Sequence, residues 1–236
     1  MFRNESIVCQ LKLILTCEHG GNKIPNEYVY LFQENQKVLE THRGFDLGAL
    51  DTFDYLKSLS DYSKASTTSR LLIELNRSLH HSQLFSEYSN KLSVIQKNQI
   101  TSTYYHPYRH EVSSIISNFI SKGDTVLHLS IHSFTPTLKN IKRECDIGLL
   151  YDPKKPSEKL FSALLKSKIK AKNHNLKMRF NYPYLGKSDG FTTYLRRQFK
   201  MNYTGIEIEI NQKHSKDNQM NLLIKDTLLA AIKEIN

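Results

Sequence analysis

Leu13-Ile-Leu-Thr-Cys-Glu-His-Gly-Gly-Asn-Lys-Ile-Pro25 is the stretch on which the reading of this chain turns. An apolar run stops at Glu18-His19, and two glycines and a proline then force a loop. Enzymes with an α/β fold present functional side chains in this way, at the carboxyl end of a strand. His19 is therefore a candidate metal ligand or acid–base group, provided that the rest of the chain supplies partners.

Outward from that stretch, residues 7 to 17 predict a strand, with Leu13 to Leu15 buried on both faces. Asp46 begins a helical pattern that puts Ala49, Leu50, Phe53 and Leu56 on one face. Arg70-Leu-Leu-Ile-Glu-Leu-Asn-Arg77 predicts a second strand ending in a polar pair, and the polar stretch from Ser78 to Thr103 reads as a surface excursion. Pro107 is placed to start a helix whose stripe is Val112, Ile115, Ile116 and Phe119, with Gly123 at its end. Strands follow at Thr125 to His132 and Asp146 to Tyr151, then a helix from near Pro156 carrying Leu160, Phe161, Leu164 and Leu165. Phe191 to Phe199 predicts a helix and Tyr203 to Asn211 the last strand. Met220, Ile224, Leu228 and Ile232 line a final helix. Strands alternating with helices predict an α/β fold, a mainly parallel sheet covered on both sides, and no repeat or linker divides residues 1–236 into more than one domain.

Composition narrows the function classes. Of the 236 residues 39% are hydrophobic and 10% aromatic, enough for a real core. No run approaches the roughly 18 to 20 apolar residues of a membrane helix. The start, Met-Phe-Arg-Asn-Glu-Ser, has an acidic residue and no long apolar block, which argues against a signal peptide and for the cytoplasm. Three cysteines, Cys9, Cys17 and Cys145, are too few and too odd for a disulfide framework, and Cys17 reads as a buried strand cysteine rather than a ligand. The net charge of +10 admits nucleic acid or a small anionic substrate as partner. The densest basic cluster, Lys166, Lys168, Lys170, Lys172 and Lys177, has no interleaved aromatics and reads as a solvated face. A small anionic substrate is therefore preferred to nucleic acid or membrane.

The predicted strand ends are polar in a consistent way: Glu18-His19, Asn76-Arg77, His132-Ser133, and Glu209 with Asn211. Val126, His128, Ser130 and His132 share one face of their strand, and Glu207, Glu209 and Asn211 oppose Ile206, Ile208 and Ile210 on theirs. Carboxylates on a central strand are costly to bury unless paired or metal-bound, so they predict a wet cleft or an edge strand. Two histidines and a carboxylate from separate strand ends suit catalytic zinc, with a nearby glutamate to take a proton from water and an arginine to hold a substrate carboxylate. His-Glu-x-x-His, Gly-x-Ser-x-Gly and a phosphate-binding glycine loop are all absent. The bland alternative is an α/β domain with satisfied polar residues at its strand ends.

Eight segments in order resemble the N-formylglutamate amidohydrolase family. They are Cys17-Glu-His-Gly-Gly-Asn-Lys-Ile-Pro25, His42-Arg-Gly-Phe-Asp-Leu-Gly-Ala49, Ser69-Arg-Leu-Leu-Ile-Glu-Leu-Asn-Arg77, Tyr105-His-Pro-Tyr-Arg109, Ser130-Ile-His-Ser-Phe-Thr-Pro136, Arg143-Glu-Cys-Asp-Ile-Gly-Leu-Leu-Tyr151, Asn181-Tyr-Pro-Tyr184 and Ile208-Glu-Ile-Asn211. The family is similar in architecture to zinc carboxypeptidases and aspartoacylase-like deacylases. The resemblance thus implies a three-layer sandwich with a mainly parallel mixed sheet, and a Zn2+ site that activates water for amide hydrolysis.

On that basis His19 and His132 are metal ligands and Glu209 is the general acid–base. Arg70, Asn76 and Arg77 are substrate-binding, with Arg77 stabilising an oxyanion and Arg70 anchoring a carboxylate. Carboxypeptidase-like sites place a glutamate three residues after the first histidine, where this chain has Asn22. Asp46, in an Asp-x-Gly motif, is the substitute third ligand, against a reading as helix N-cap; Glu18 is a weaker option. His106 and Tyr108 are candidates to line the cleft or to pack, Arg143 and Tyr184 match family positions, and His128 and Glu207 are candidates to support the site. The substrate implied is an N-acyl amino acid such as N-formyl-L-glutamate, cleaved to formate and glutamate. Competing readings are another carboxypeptidase-like deacylase or peptidase, and an inactive binding protein, for which Asn22 is the support.

Overall fold

Six strands form one mixed sheet in the computed structural model, which describes residues 9–235. They are β1 (Leu11–Cys17), β2 (Tyr62–Ala65), β3 (Thr125–Phe134), β4 (Ile147–Leu150), β5 (Met178–Phe180) and β6 (Tyr203–Asn211). Their order is β2-β1-β3-β6-β4-β5. The first four positions run parallel, β4 runs antiparallel to β6, and β5 runs parallel to β4. The expected strand at residues 7 to 17 starts at Leu11; its Ile7 and Val8, like the six residues before them, lie outside the described residues.

Helices cover both faces, which makes three layers. On one face α1 (Ala49–Leu56), α4 (Pro156–Lys172) and α6 (Leu222–Lys233) meet Leu13, Leu15, Leu127, Leu129, Ile131, Ile206, Ile208 and Ile210. Each such fully buried aliphatic side chain contributes roughly 1.5–3 kcal/mol. On the other face lie α3 (His106–Ser121) and α5 (Phe191–Gln198), over Ile14, Val126 and Tyr203. The alternation of Ile206, Ile208 and Ile210 with Glu207, Glu209 and Asn211 thus separates an apolar face from the one that carries polar strand ends.

Two of the departures from the sequence expectation bear on the site. Arg70 to Arg77 is not a strand but a run of turns, closed by Leu72 N–H to Ser69 O and Arg77 N–H to Glu74 O. Leu72, Ile73 and Leu75 are buried because the segment plugs the core beneath α3, and a short apolar run looks the same in sequence whether strand or buried loop. The strand position at that edge belongs to β2, short, polar and half-buried. Second, the polar excursion contains α2 (Val94–Ile100), started by a reciprocal Ser93–Gln96 capping box and running through a wide turn at Thr101–Tyr105 into α3. Pro107 sits at the first turn of α3, where the wider turn absorbs its missing N–H.

Among the described residues no helix is long and apolar enough to cross a membrane. The lysine-rich helix α4 is partly neutralised: Lys168 and Lys172 pair with Glu234. Lys166 lies over Phe180, and Lys170 donates to the carbonyls of His174 and Leu176.

Candidate functional site

His19 is the second residue past β1, and its position follows from a close approach of two loops. A Cβ on Gly20 would lie 2.9 Å from Ser66 O, and one on Gly21 2.7 Å from Thr67 O, so only glycine lets the chain turn there. Lys23 N–H donates to Thr67 O at 2.9 Å and closes the turn. Asp46 N–H donates to the carbonyl of His19 at 2.9 Å, which pins the second loop to the end of β1. His132 comes from β3, directly beside Glu209 of β6 in the parallel register.

The three side chains converge. Asp46 Oδ2 lies 3.3 Å from His19 Nδ1 and 3.0 Å from His132 Nδ1, and the imidazoles meet edge to face with centroids 5.0 Å apart. All three residues are buried, and a ligand atom from each lies within 4.8 Å of the others. The far ring nitrogens are held by carboxylates: His19 Nε2 by Glu74, and His132 Nε2 by Glu18 at 3.1 Å, with Ser130 Oγ 2.8 Å away. A carboxylate behind each imidazole fixes its tautomer and aims the other nitrogen, as at metal-ligating histidines. Two imidazoles and a carboxylate at this spacing fit a divalent cation, zinc among them.

The electrostatics follow from burial and pairing. Burial alone would lower the His132 pKa, but its bonds to Asp46 and Glu18 raise it well above the ordinary imidazole range. Burial would raise Asp46, Glu18 and Glu74, yet each falls far below the usual carboxylate range: His19 and His132 flank Asp46, His132 bonds Glu18, and Arg70 and His19 bear on Glu74. Glu209 goes the other way. Burial first, then the charges of Asp46 and Glu207, push it up to about 8 against the pull of His132 and His19. Its Oε2 is buried without a hydrogen-bond partner among the described residues.

These groups line a cleft of about 250 Å³ whose wall includes Arg70, Asn76, Arg77, Tyr184, Asp189 and Glu207. Arg70 Nη1 reaches Asp46 Oδ1 at 3.3 Å, and Nε and Nη2 hold Glu74. Arg77 is turned towards Asp189, with Nη1 donating to Asp189 O at 2.6 Å. Asn76 Oδ1 accepts Phe191 N–H at 2.7 Å, and Glu207 accepts from Thr192 Oγ1 at 2.6 Å.

The competing third-ligand residues point elsewhere. Asn22 donates to Glu40 outside the cleft. Glu18 lies behind His132, where Tyr108 OH donates to it at 3.0 Å. Asp46 does not cap α1, since Gly48 holds that position.

Of the remaining candidates, the structure does not bring Tyr108, His106 or His128 into the cleft. Tyr108 is a buried support for Glu18, and His106 lines a separate cavity with His110 and Arg197. His128 is fully buried between Thr16 Oγ1 at 2.8 Å and Tyr203 OH at 2.7 Å, and desolvation lowers its pKa to about 4. Arg143 reaches the cleft only through Tyr184, over whose ring it lies at 5.3 Å. Ser130 supports His132 from the strand face that the alternation predicts, whereas Glu74 and Asp189 carry no sequence expectation; the signal for Glu74 is its place four residues from Arg70, hidden by the strand reading.

Fold and cleft define an α/β protein with a metal-capable group of histidine and aspartate at the carboxyl ends of parallel strands. The chain belongs to the N-formylglutamate amidohydrolase family, whose features it matches over residues 11–214, and it is a hydrolase of amide C–N bonds other than peptide bonds. Among solved structures it is similar to the gene product Atu2144 from Agrobacterium tumefaciens, at 24% identity and TM-score 0.73 over 98% of this chain and 94% of that one. It is also similar to the N-formylglutamate amidohydrolase from Ralstonia eutropha JMP134, at 17% identity and TM-score 0.71 over 97% and 94%. A metallo-carboxypeptidase from Burkholderia cenocepacia is more distant, at 10% identity and TM-score 0.43 over 99% and 59%. No curated protein sequence matches the chain.

Proposed function

We propose that the protein is a zinc-dependent amidohydrolase for a small anionic N-acyl amino acid, and that N-formyl-L-glutamate is cleaved to formate and glutamate. The observation that carries this reading is the unpartnered Glu209 Oε2 in the cleft that holds His19, Asp46 and His132. His19, Asp46 and His132 would hold the ion, which supplies Lewis acidity and makes water a nucleophile near neutral pH. Glu209, as its carboxylate, takes a proton from water as the oxygen attacks the formyl carbon. The protonated Glu209 then delivers that proton to the amide nitrogen as the C–N bond breaks, releasing formate and the free amine.

The contact of Arg70 with Asp46 favours a division of labour between the arginines opposite to the one expected. Arg70, bonded to Asp46, is close enough to the reacting centre to meet charge developing on the carbonyl oxygen. Arg77 and Asn76, which line the same cleft without a bond to Asp46, suit the substrate's carboxylate. A net charge of +10 favours attraction of such anions. Residues 1–236 are proposed to form a single domain that acts on a small molecule in the cytoplasm.

Metal analysis of protein purified without chelator, with hydrolysis assays on N-formyl-L-glutamate, N-acetyl amino acids and short peptides, tests the reading. Stoichiometric zinc and turnover of the formyl substrate are expected. Metal-free protein inert towards every substrate sinks it.

A further inference from the structure

On the other side of the Asn76–Arg77 segment lies a second cavity, about 510 Å³, lined by Arg109, Arg197, His106, His110, Tyr105 and Tyr194 among others. Its charges are all of one sign, since no aspartate or glutamate lines it. Arg197 and Arg109 form no ion pair among the described residues.

Arg109 is the unusual member. Its side chain is 5% exposed, and it is held among the rings of Tyr105, Phe191 and Tyr194 at 4.8, 4.6 and 4.5 Å. Nη1 donates to the carbonyls of Leu75 and Arg77, each at 3.0 Å. Nε and Nη2 have no protein acceptor among the described residues, yet the residue lines the cavity. A buried guanidinium that meets only ring faces and two carbonyls lacks the counter-charge that normally offsets its desolvation. Desolvation accordingly lowers its pKa. An oxyanion at the free edge of Arg109 would supply both the missing acceptors and the missing charge, with Arg197 and the imidazoles of His106 and His110 around it. The flanking Tyr105 and Tyr194 rings offer apolar faces to whatever carries that oxyanion.

We infer that this cavity is a second ligand site, which takes a small organic carboxylate with a flat apolar body. The site is independent of the hydrolytic reading of the first cleft. It is tied to that cleft mechanically, because Arg109 Nη1 and Tyr105 OH, the latter at 2.7 Å, both hold the carbonyl of Arg77.

Benzoate and, separately, inorganic phosphate are titrated into the full-length protein at fixed pH, and the imidazole resonances of His106 and His110 are followed by NMR. Assignment rests on His106→Gln and His110→Gln. Saturable shifts with benzoate are expected, weakened about tenfold or more in Arg197→Gln, since a charge-assisted bond carries at least that factor. Arg197 is exposed on α5, so its variant keeps the fold, and Arg109→Lys provides a second, buried test. No saturable shift with benzoate overturns the site. Shifts undiminished in Arg197→Gln overturn the proposed contacts, and phosphate matching benzoate in affinity overturns the flat-bodied ligand.

Discussion

His132 and Glu209 stand side by side in register on β3 and β6, and their polar atoms are in opposite states: both ring nitrogens of His132 are bonded, while Glu209 Oε2 has no hydrogen-bond partner among the described residues. A buried carboxyl oxygen without a partner in a cleft is what a proton carrier needs before substrate arrives. Glu209→Gln keeps the shape and removes the titration. We expect kcat/KM on N-formyl-L-glutamate to fall by about 10²–10⁴-fold with metal content unchanged; an equal loss of metal would make Glu209 a ligand instead.

The carboxylates behind the imidazoles should matter for holding the ion. Glu18→Gln and Glu74→Gln are expected to weaken zinc by about 10–100-fold, measured by chelator competition. His19→Ala, His132→Ala and Asp46→Ala should abolish stoichiometric binding, and Asn22→Ala should leave it intact, because Asn22 faces Glu40.

Stability against pH isolates Glu209 in protein stripped of metal. Its folded pKa, pushed up to about 8 by burial and neighbouring charge, exceeds the value of roughly 4.3 in an unfolded chain. Between those values the folded state binds more protons, so this group makes stability fall as pH rises, and its penalty is complete above about 8. The variant Glu209→Gln carries no such penalty. Its gain over the parent, read from urea midpoints, should be near zero at low pH and largest under alkaline conditions.

Arg70 and Arg77 should separate kinetically. Arg70→Lys, which breaks the forked contact with Glu74 beside the reacting centre, is expected to lower kcat more than it changes KM. Arg77→Lys should raise KM with a smaller effect on kcat. The reverse pattern would restore the assignment expected from sequence.

Away from the cleft, Arg196 and Glu158 form a buried pair at 2.6 Å, and Arg196 also donates to Gly186 O and Gly205 O. Arg196→Met strands the fully buried Glu158 and should cost about 3–5 kcal/mol of folding stability in chemical denaturation.

Much of this was legible in the sequence because the central strands are long and strictly alternating. Ile206, Ile208 and Ile210 against Glu207 and Glu209 fixed which side of β6 was wet, and Val126 to His132 did the same for β3. The edges were not legible. Tyr62 to Ala65 is four residues long and half-buried, with no pattern to detect, while Leu71 to Ile73 imitated the strand that β2 supplies. The reversal of β4 depends on how the chain returns to β6, which no local pattern records. The supporting roles of Glu74 and Glu18 escape sequence reading because their partners lie 55 and 114 positions away, His19 for the one and, by 132 − 18, His132 for the other.

The register of β3 with β6 also sets an order of events during synthesis. Residues 126–134 must wait for residues 203–211 to become their neighbours, so β3 has an open edge on that side while residues 135–202 are being made. His19, Asp46 and His132 can gather before then, but Glu209 cannot join them. A nascent chain can thus gather the group proposed to hold a metal before it gains the residue proposed as the catalyst, and hydrolytic competence should arrive abruptly, with the last strand of the sheet.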